Sequence, residues 1–170
     1  MVRDGLDDAP YYAACLDLRG RGCAVVGGGK IAARKAAKLL ESGASVKVIS
    51  PKLQAPLSEW AAIGKVEWIN RSYQSGDVKD AWMVIAATDD KMTNQLVASE
   101  AEQAGRLVNV VDDVRRCNFI VPASVRRGIL HFSISTSGTD PAAAKRLRRA
   151  LEADLVSGSD LFQKELQKLK

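Results

Sequence analysis

Three consecutive glycines, Gly27, Gly28 and Gly29, stand between a short apolar run, Cys23-Ala24-Val25-Val26, and a segment with helical spacing. Few folds use that order. A backbone without Cβ atoms can turn sharply off a strand and bring its amides close to a phosphate at the first turn of a helix, where the helix dipole also favours negative charge. Written as Gly27-x-Gly29-x-x-Ala32, the run has the form of a dinucleotide fingerprint, with alanine where a small residue lets helix and strand pack closely. The spacing predicts a helix over 30–42, with Ile31, Ala33, Ala36, Leu39 and Leu40 along it and Gly43 at its end.

The rest of the chain repeats the alternation. Residues 45–49 read as a strand closed by Pro51, 53–63 as a weaker helix ending at Gly64, and 66–69 as a short strand. Residues 82–87 form an unbroken apolar run of strand length, which predicts burial on both faces. Asp89 or Asp90 then caps a helix running to Ala104, and 107–111 is the next strand. Strands alternating with helices over short connections predict an α/β fold, a Rossmann-like doubly wound parallel sheet, with 1–114 as an NAD-binding domain.

After Asp113 the pattern changes. Residues 119–122 and 130–135 read as strands with no helix between them, linked by an Arg126-Arg127-Gly128 turn. A hairpin of this kind leaves edges to be covered, so 115–139 are expected to be dimerisation strands. Asp140-Pro141 is a helix start, acid as cap and proline in the first turn. It opens a C-terminal helical region, 140–170, with Ala143, Leu147, Leu151 and Leu155 four apart and a second short helix over 160–169.

Composition narrows the classes. At 170 residues and 46% hydrophobic content the chain suits one domain with a small appendage, and its net charge of +5 is modest. The cluster Lys145, Arg146, Arg148 and Arg149 is either a solvated helix face or, with Arg115, Arg116, Arg126 and Arg127, a holder for a polyanionic ligand. The three cysteines, Cys15, Cys23 and Cys117, have no metal or disulfide spacing and suit a reducing compartment. Residues 1–10 have no apolar core of the kind a signal peptide needs, and no run approaches a membrane span. The expectation is a cytoplasmic protein with no resident metal and neither a nucleic-acid nor a membrane partner.

At the end of the second strand, where NAD sites usually carry an acid for the ribose, this chain has Ser50-Pro51-Lys52. Serine can bond a hydroxyl, and Lys52 can attract a phosphate, so NAD and NADP both remain open. Thr88, at the end of the buried strand, either touches cofactor or starts the next helix. Asp112 and Asp113 end the following strand and point opposite ways, so one of them faces a crevice there. His131, the single histidine, is expected to be a packed structural residue.

Leu18-Arg19-Gly20-Arg21, the glycine block through Lys35, Ala86-Ala87-Thr88-Asp89-Asp90, Asn94, Asn109-Val110-Val111-Asp112-Asp113, Phe119-Ile120-Val121-Pro122-Ala123 and Ile134 through Pro141 together resemble the precorrin-2 dehydrogenase family. That family includes the N-terminal module of siroheme synthase and stand-alone dehydrogenase and dehydrogenase/ferrochelatase enzymes. The resemblance implies a homodimer that uses NAD to oxidise precorrin-2 to sirohydrochlorin, and some members also insert iron. Carried over by position, Gly27, Gly29, Lys30, Ile31, Pro51 and Lys52 would contact the cofactor, with Thr88 beside the nicotinamide. Asp112 matches the catalytic aspartate. Thr136 stands where some relatives have a serine near the tetrapyrrole, Ser137 replaces a glycine, and Arg126 and Arg127 would meet substrate carboxylates. The helical region after Pro141 is expected to be shorter than in relatives, with no methyltransferase domain attached. The competing readings are a non-catalytic dinucleotide-sensing domain, which would be expected to keep an acid where Ser50 stands, and a tetrapyrrole-binding subunit without turnover.

Overall fold

The computed structural model describes residues 11–158, 160–162 and 164. The chain divides between Phe119 and Ile120 into two compact units. The first is built on five parallel strands: β1 (Gly22–Val26), β2 (Ser45–Ile49), β3 (Glu67–Ile69), β4 (Met83–Ala86) and β5 (Leu107–Val110). They lie in the order β3-β2-β1-β4-β5, so the direction of winding reverses between β1 and β4. That reversal opens a crevice at the carboxyl ends of the strands. The connecting helices are α1 (Lys30–Glu41), α2 (Leu57–Ala62) and α3 (Lys91–Gln103).

Alternation along the strands divides the core into two layers. Cys23, Val25, Val48 and Ile85 face Ala32, Ala33, Ala36 and Leu39 of α1, whose alanines let the helix sit close to the sheet. Ala24, Val26, Val84, Val108 and Val110 face Val97, Ala98 and Ala101 of α3. Every residue of β4 is buried, as its unbroken apolar run predicts. Asp90, not Asp89, caps α3, accepting hydrogen bonds from the N–H groups of Met92 (3.0 Å) and Thr93 (3.2 Å). The helix expected over 53–63 is reduced to α2. Ala55 precedes Pro56, which disfavours helical geometry there, and the Gln54 N–H donates instead to the Gly28 carbonyl at 2.8 Å.

The second unit holds an antiparallel pair, β6 (Ala123–Arg127) and β7 (Leu130–Ile134), and a helix, α4 (Pro141–Ser157), packed on both. The expected strand 119–122 is displaced to β6, so Arg126 and Arg127 are strand residues rather than turn residues. The physical reason lies just upstream. The Asn118 side chain accepts from the Val108 N–H at 2.7 Å, its own N–H donates to the Val108 carbonyl at 3.1 Å, and the Phe119 carbonyl accepts from the Asn109 amide at 3.2 Å. Residues 117–119 are thereby sewn to β5, and Pro122 has no N–H to give a ladder. Asp140 caps α4 through the Ala143 N–H at 2.8 Å, with Pro141 in the first turn. Ala143 and Leu147 are buried, and Leu151 and Leu155 are half-buried. The second helix expected over 160–169 lies largely outside the described residues. Among those residues, no helix is long and apolar enough to cross a membrane.

Candidate dinucleotide and catalytic site

The three glycines are not equivalent. Gly27 has φ +122°, and a Cβ there would lie 2.7 Å from the Ala87 carbonyl carbon and 3.2 Å from the Thr88 nitrogen. At Gly28 a Cβ would fall on the Lys52 carbonyl oxygen, 2.7 Å from Ser50 Oγ. Both residues are glycine because the protein's own backbone occupies the space. Gly29 differs: nothing lies within 4 Å of a Cβ there, and its backbone is extended. The third glycine therefore keeps open a space that the protein does not fill. It is also the N-cap of α1, and no side chain caps that helix, so its first-turn amides remain available to an anion. The fingerprint Gly27-x-Gly29 passes over Gly28, whose requirement comes from a turn more than twenty residues away.

Around this turn lies a cleft of about 420 Å³, at the carboxyl ends of β1, β2 and β4. It brings together five of the expected cofactor residues, Gly27, Gly29, Pro51, Lys52 and Thr88. Lys30 and Ile31 open α1 beside it, exposed, and are not among its walls. Ser50 is buried, and its hydroxyl donates to the Lys52 carbonyl at 2.8 Å. Trp68 Nε1 donates to the Ser50 carbonyl at 2.9 Å. Ser50 thus shapes the wall, and its hydroxyl is engaged within the protein rather than offered to a ribose. Thr88 behaves similarly. Its N–H donates to Asn94 Oδ1 at 3.1 Å, its carbonyl accepts from Asn94 Nδ2 at 3.0 Å, and its hydroxyl lies 2.9 Å from the Asp90 carbonyl. The buried Asn94 clamps the backbone that lines the cleft, so Thr88 forms part of the wall and lies two residues before Asp90, the cap of α3.

Ser72 and Tyr73 close another side, on a loop held by two acids. Asp77 grips Arg71 through two bonds of 2.7 Å and accepts from the Gln74 N–H at 2.8 Å. Arg71 is the main cause holding the Asp77 carboxyl below the usual range. Glu100, on α3, accepts from the Tyr73 hydroxyl and from the N–H groups of Gly76 (2.8 Å) and Val78 (3.2 Å). Burial pushes Glu100 upward, but these bonds outweigh it and the carboxyl sits low.

Asp112 follows β5. It is exposed, in the left-handed region at φ +62°, and makes no hydrogen bond or ion pair among the described residues. Aspartate tolerates that conformation better than most residues. Asp113 is engaged with Arg116 at 3.2 Å and does not cap the short 3-10 turn Val114–Arg116. Beneath them, the buried Asn109 links three segments: it donates to the Phe119 carbonyl, contacts Cys117 Sγ at 3.4 Å, and accepts from Lys35 Nζ at 3.0 Å. Neither Lys35 nor Asn109 stands out in the sequence as a site residue, although a polar residue inside an apolar strand is the signal that could have found Asn109. Cys117 also accepts from the Val110 N–H at 3.1 Å, and burial pushes its thiol up.

The remaining expected residues lie in the second unit. Arg126 and Arg127 are exposed on β6, opposite His131 and Leu130. Thr136 Oγ1 accepts from the Asp140 N–H at 3.2 Å and so steadies the approach to α4. Ser137 has φ +53°, a conformation that suits glycine. His131 is exposed on β7 in the single chain. Among the described residues no group of three His, Cys, Asp or Glu converges as a metal site.

Residues 14–123 match the family model described as "Putative NAD(P)-binding". The chain is 46% identical over 143 residues to a siroheme synthase of Actinobacillus pleuropneumoniae, and 44% identical over 142 residues to one of Nitrosococcus oceani. Each alignment covers 84% of this chain but only 29% and 30% of those proteins, so the chain spans about a third of their length. A solved structure titled SirC, precorrin-2 dehydrogenase, superposes with a TM-score of 0.75 at 34% identity, covering 90% of this chain and 74% of that one. The chain belongs to the precorrin-2 dehydrogenase family. Its parallel sheet, hairpin and C-terminal helix are the Rossmann-like architecture expected of a member, and its glycine turn lies inside the matched NAD(P)-binding region.

Proposed function

We propose that this chain is an NAD-dependent dehydrogenase that oxidises precorrin-2 to sirohydrochlorin. The observation that carries the reading is the pairing of an uncapped helix start behind an open Gly29, after β1, with an uncommitted carboxylate, Asp112, at the end of β5, two strands along the same sheet. NAD, when bound, supplies the hydride acceptor. Gly29 and the first turn of α1 would receive the pyrophosphate, Pro51 and Lys52, with Lys30 and Ile31, would hold the adenosine half, and Thr88 would serve the nicotinamide half. Removing a hydride leaves cationic character on the macrocycle, and a proton must follow. Asp112, held out from the sheet by its left-handed backbone, stabilises that charge and takes a ring N–H proton. Arg126, Arg127 and Thr136 serve the carboxylate-rich substrate.

The working form is a homodimer assembled through β7 and α4, whose hairpin tip exposes Ile129 and Leu130, in a cytoplasmic protein without nucleic-acid or membrane partners. Iron enters as a substrate that some family members insert. Adding ferrous iron to the product tests that activity. The first test is to incubate the pure protein with precorrin-2 and NAD and follow sirohydrochlorin absorbance. Asp112→Asn, which keeps the left-handed preference and removes the charge, is expected to lower turnover by about two to four orders of magnitude with NAD affinity unchanged. A fully active Asp112→Asn protein would remove Asp112 from the chemistry, and no product with wild type would overturn the function.

A further inference from the structure

Lys35 lies in the second turn of α1, on a helix whose sheet-facing residues are otherwise alanine and leucine. Its stem is half-buried, and its ammonium reaches the Asn109 side-chain oxygen at 3.0 Å. Asn109 cannot adjust to it freely, because both sides of its amide are in use: the NH2 group is held at the Phe119 carbonyl and the Cys117 sulfur. An ammonium has three donors. Among the described residues Asn109 is the one hydrogen-bond acceptor for Lys35, and it is neutral. The titratable groups around it are Arg34, Cys117 and Asp112. Burial and then Arg34 push the Lys35 ammonium below its usual range, and Cys117 and then Asp112 oppose them. A partly desolvated cation without a carboxylate bonded to it is costly unless an anion arrives.

That anion is not the dinucleotide pyrophosphate. Lys35 lies one turn beyond the uncapped start of α1, and its ammonium is turned to Asn109 of β5, within the electrostatic reach of Asp112. Precorrin-2 carries carboxylate arms around its macrocycle, and a ring whose N–H meets Asp112 has arms extending beyond that contact. We propose that Lys35, oriented by Asn109, receives a side-chain carboxylate of the tetrapyrrole and thereby sets the ring against Asp112. The inference rests on the proposed reading of Asp112 as the place of tetrapyrrole chemistry. It makes Lys35 a substrate-positioning residue, carried on the same helix whose first turn serves the cofactor.

The test uses the full chain with sirohydrochlorin as a binding probe and precorrin-2 with NAD as the reaction. Lys35→Met keeps the stem and loses the charge. It is expected to raise both the sirohydrochlorin Kd and the precorrin-2 KM by about tenfold, the loss of one charge-assisted hydrogen bond. NAD affinity and kcat should stay within about threefold, and Lys35→Arg should recover most of the loss. Independently of any variant, sirohydrochlorin should protect Lys35 of the wild type from acetylation, read by peptide mass spectrometry, and NAD alone should not. Equal acetylation with and without sirohydrochlorin overturns the proposal, as does a Lys35→Met protein with unchanged Kd and KM or one that loses NAD and tetrapyrrole binding in parallel. A wild type that turns over precorrin-2 while Lys35 fails these measurements leaves the functional reading standing and removes this inference alone. A wild type that neither binds nor turns over tetrapyrrole removes both.

Discussion

Exchanging Gly28 and Gly29 separately should divide folding from cofactor binding. In Gly28→Ala the new methyl overlaps the Lys52 carbonyl oxygen and meets Ser50 Oγ at 2.7 Å and the Lys52 carbonyl carbon at 3.0 Å, where ordinary contact begins at 3.4 Å. The 50–52 turn cannot retreat without loosening its bonds to Ser50 Oγ and Trp68 Nε1. Overpacking of this kind costs about 1–3 kcal/mol, and weakening one hydrogen bond adds about 1 kcal/mol, so a total of about 2–4 kcal/mol is expected. For a protein of this size that lowers Tm by on the order of 10 °C. Gly29→Ser should behave oppositely. Serine is a preferred N-cap, no protein atom lies within 4 Å of the new Cβ, and the ligand-free Tm should hold or rise slightly. The cost falls on the ligand, because the side chain takes the space and the amides meant for the pyrophosphate. Losing one charge-assisted contact, about 2 kcal/mol, weakens NAD roughly thirtyfold. Thermal melts without ligand and calorimetric titration with NAD read the two effects. If Gly29→Ser melts as low as Gly28→Ala, or binds NAD as wild type does, the assignment of the third glycine to the cofactor is wrong.

Ser137→Gly should raise stability by about 0.5–1 kcal/mol, because it removes a side chain from a left-handed backbone, and a higher Tm checks it. Glu100 and Asp77 both have folded pKa values held below their unfolded ones, so their stabilisation is complete above about pH 4.5 and is lost as the pH falls through the lowered values. Glu100→Gln should therefore cost about 1–2 kcal/mol at pH 7 and flatten the acid limb of the stability curve, measured by urea denaturation across pH 3–7. An unchanged acid limb would mean that Glu100 does not hold the Tyr73 loop. Leu130→Asp, at a position 56% exposed in the single chain, should fold yet sediment as monomer where wild type sediments as dimer.

The elements that could be read from sequence are those specified locally. Asp90 and Asp140 cap helices with their own side chains, and β4 is apolar throughout because both of its faces are covered. The parts that could not be read depend on segments meeting from far apart. Gly28 must be glycine only because the 50–52 turn lies against it, and β6 starts late only because Asn118 and Phe119 are held by β5. Lys35 looks like any lysine on a helix until Asn109, 74 residues on, turns out to accept from it. The acid pair shows the same division most sharply. Alternation says that Asp112 and Asp113 diverge, but not which one faces the site. Asp113 lies three residues before Arg116, and once the chain turns through a left-handed Asp112 into the 3-10 turn that pair closes at 3.2 Å. An ion pair at this half-exposed position is worth little as stability. Its consequence is selective: it occupies one carboxylate and leaves the other, exposed on a left-handed backbone, without a hydrogen bond or ion pair among the described residues, which is what the proposed role of Asp112 requires.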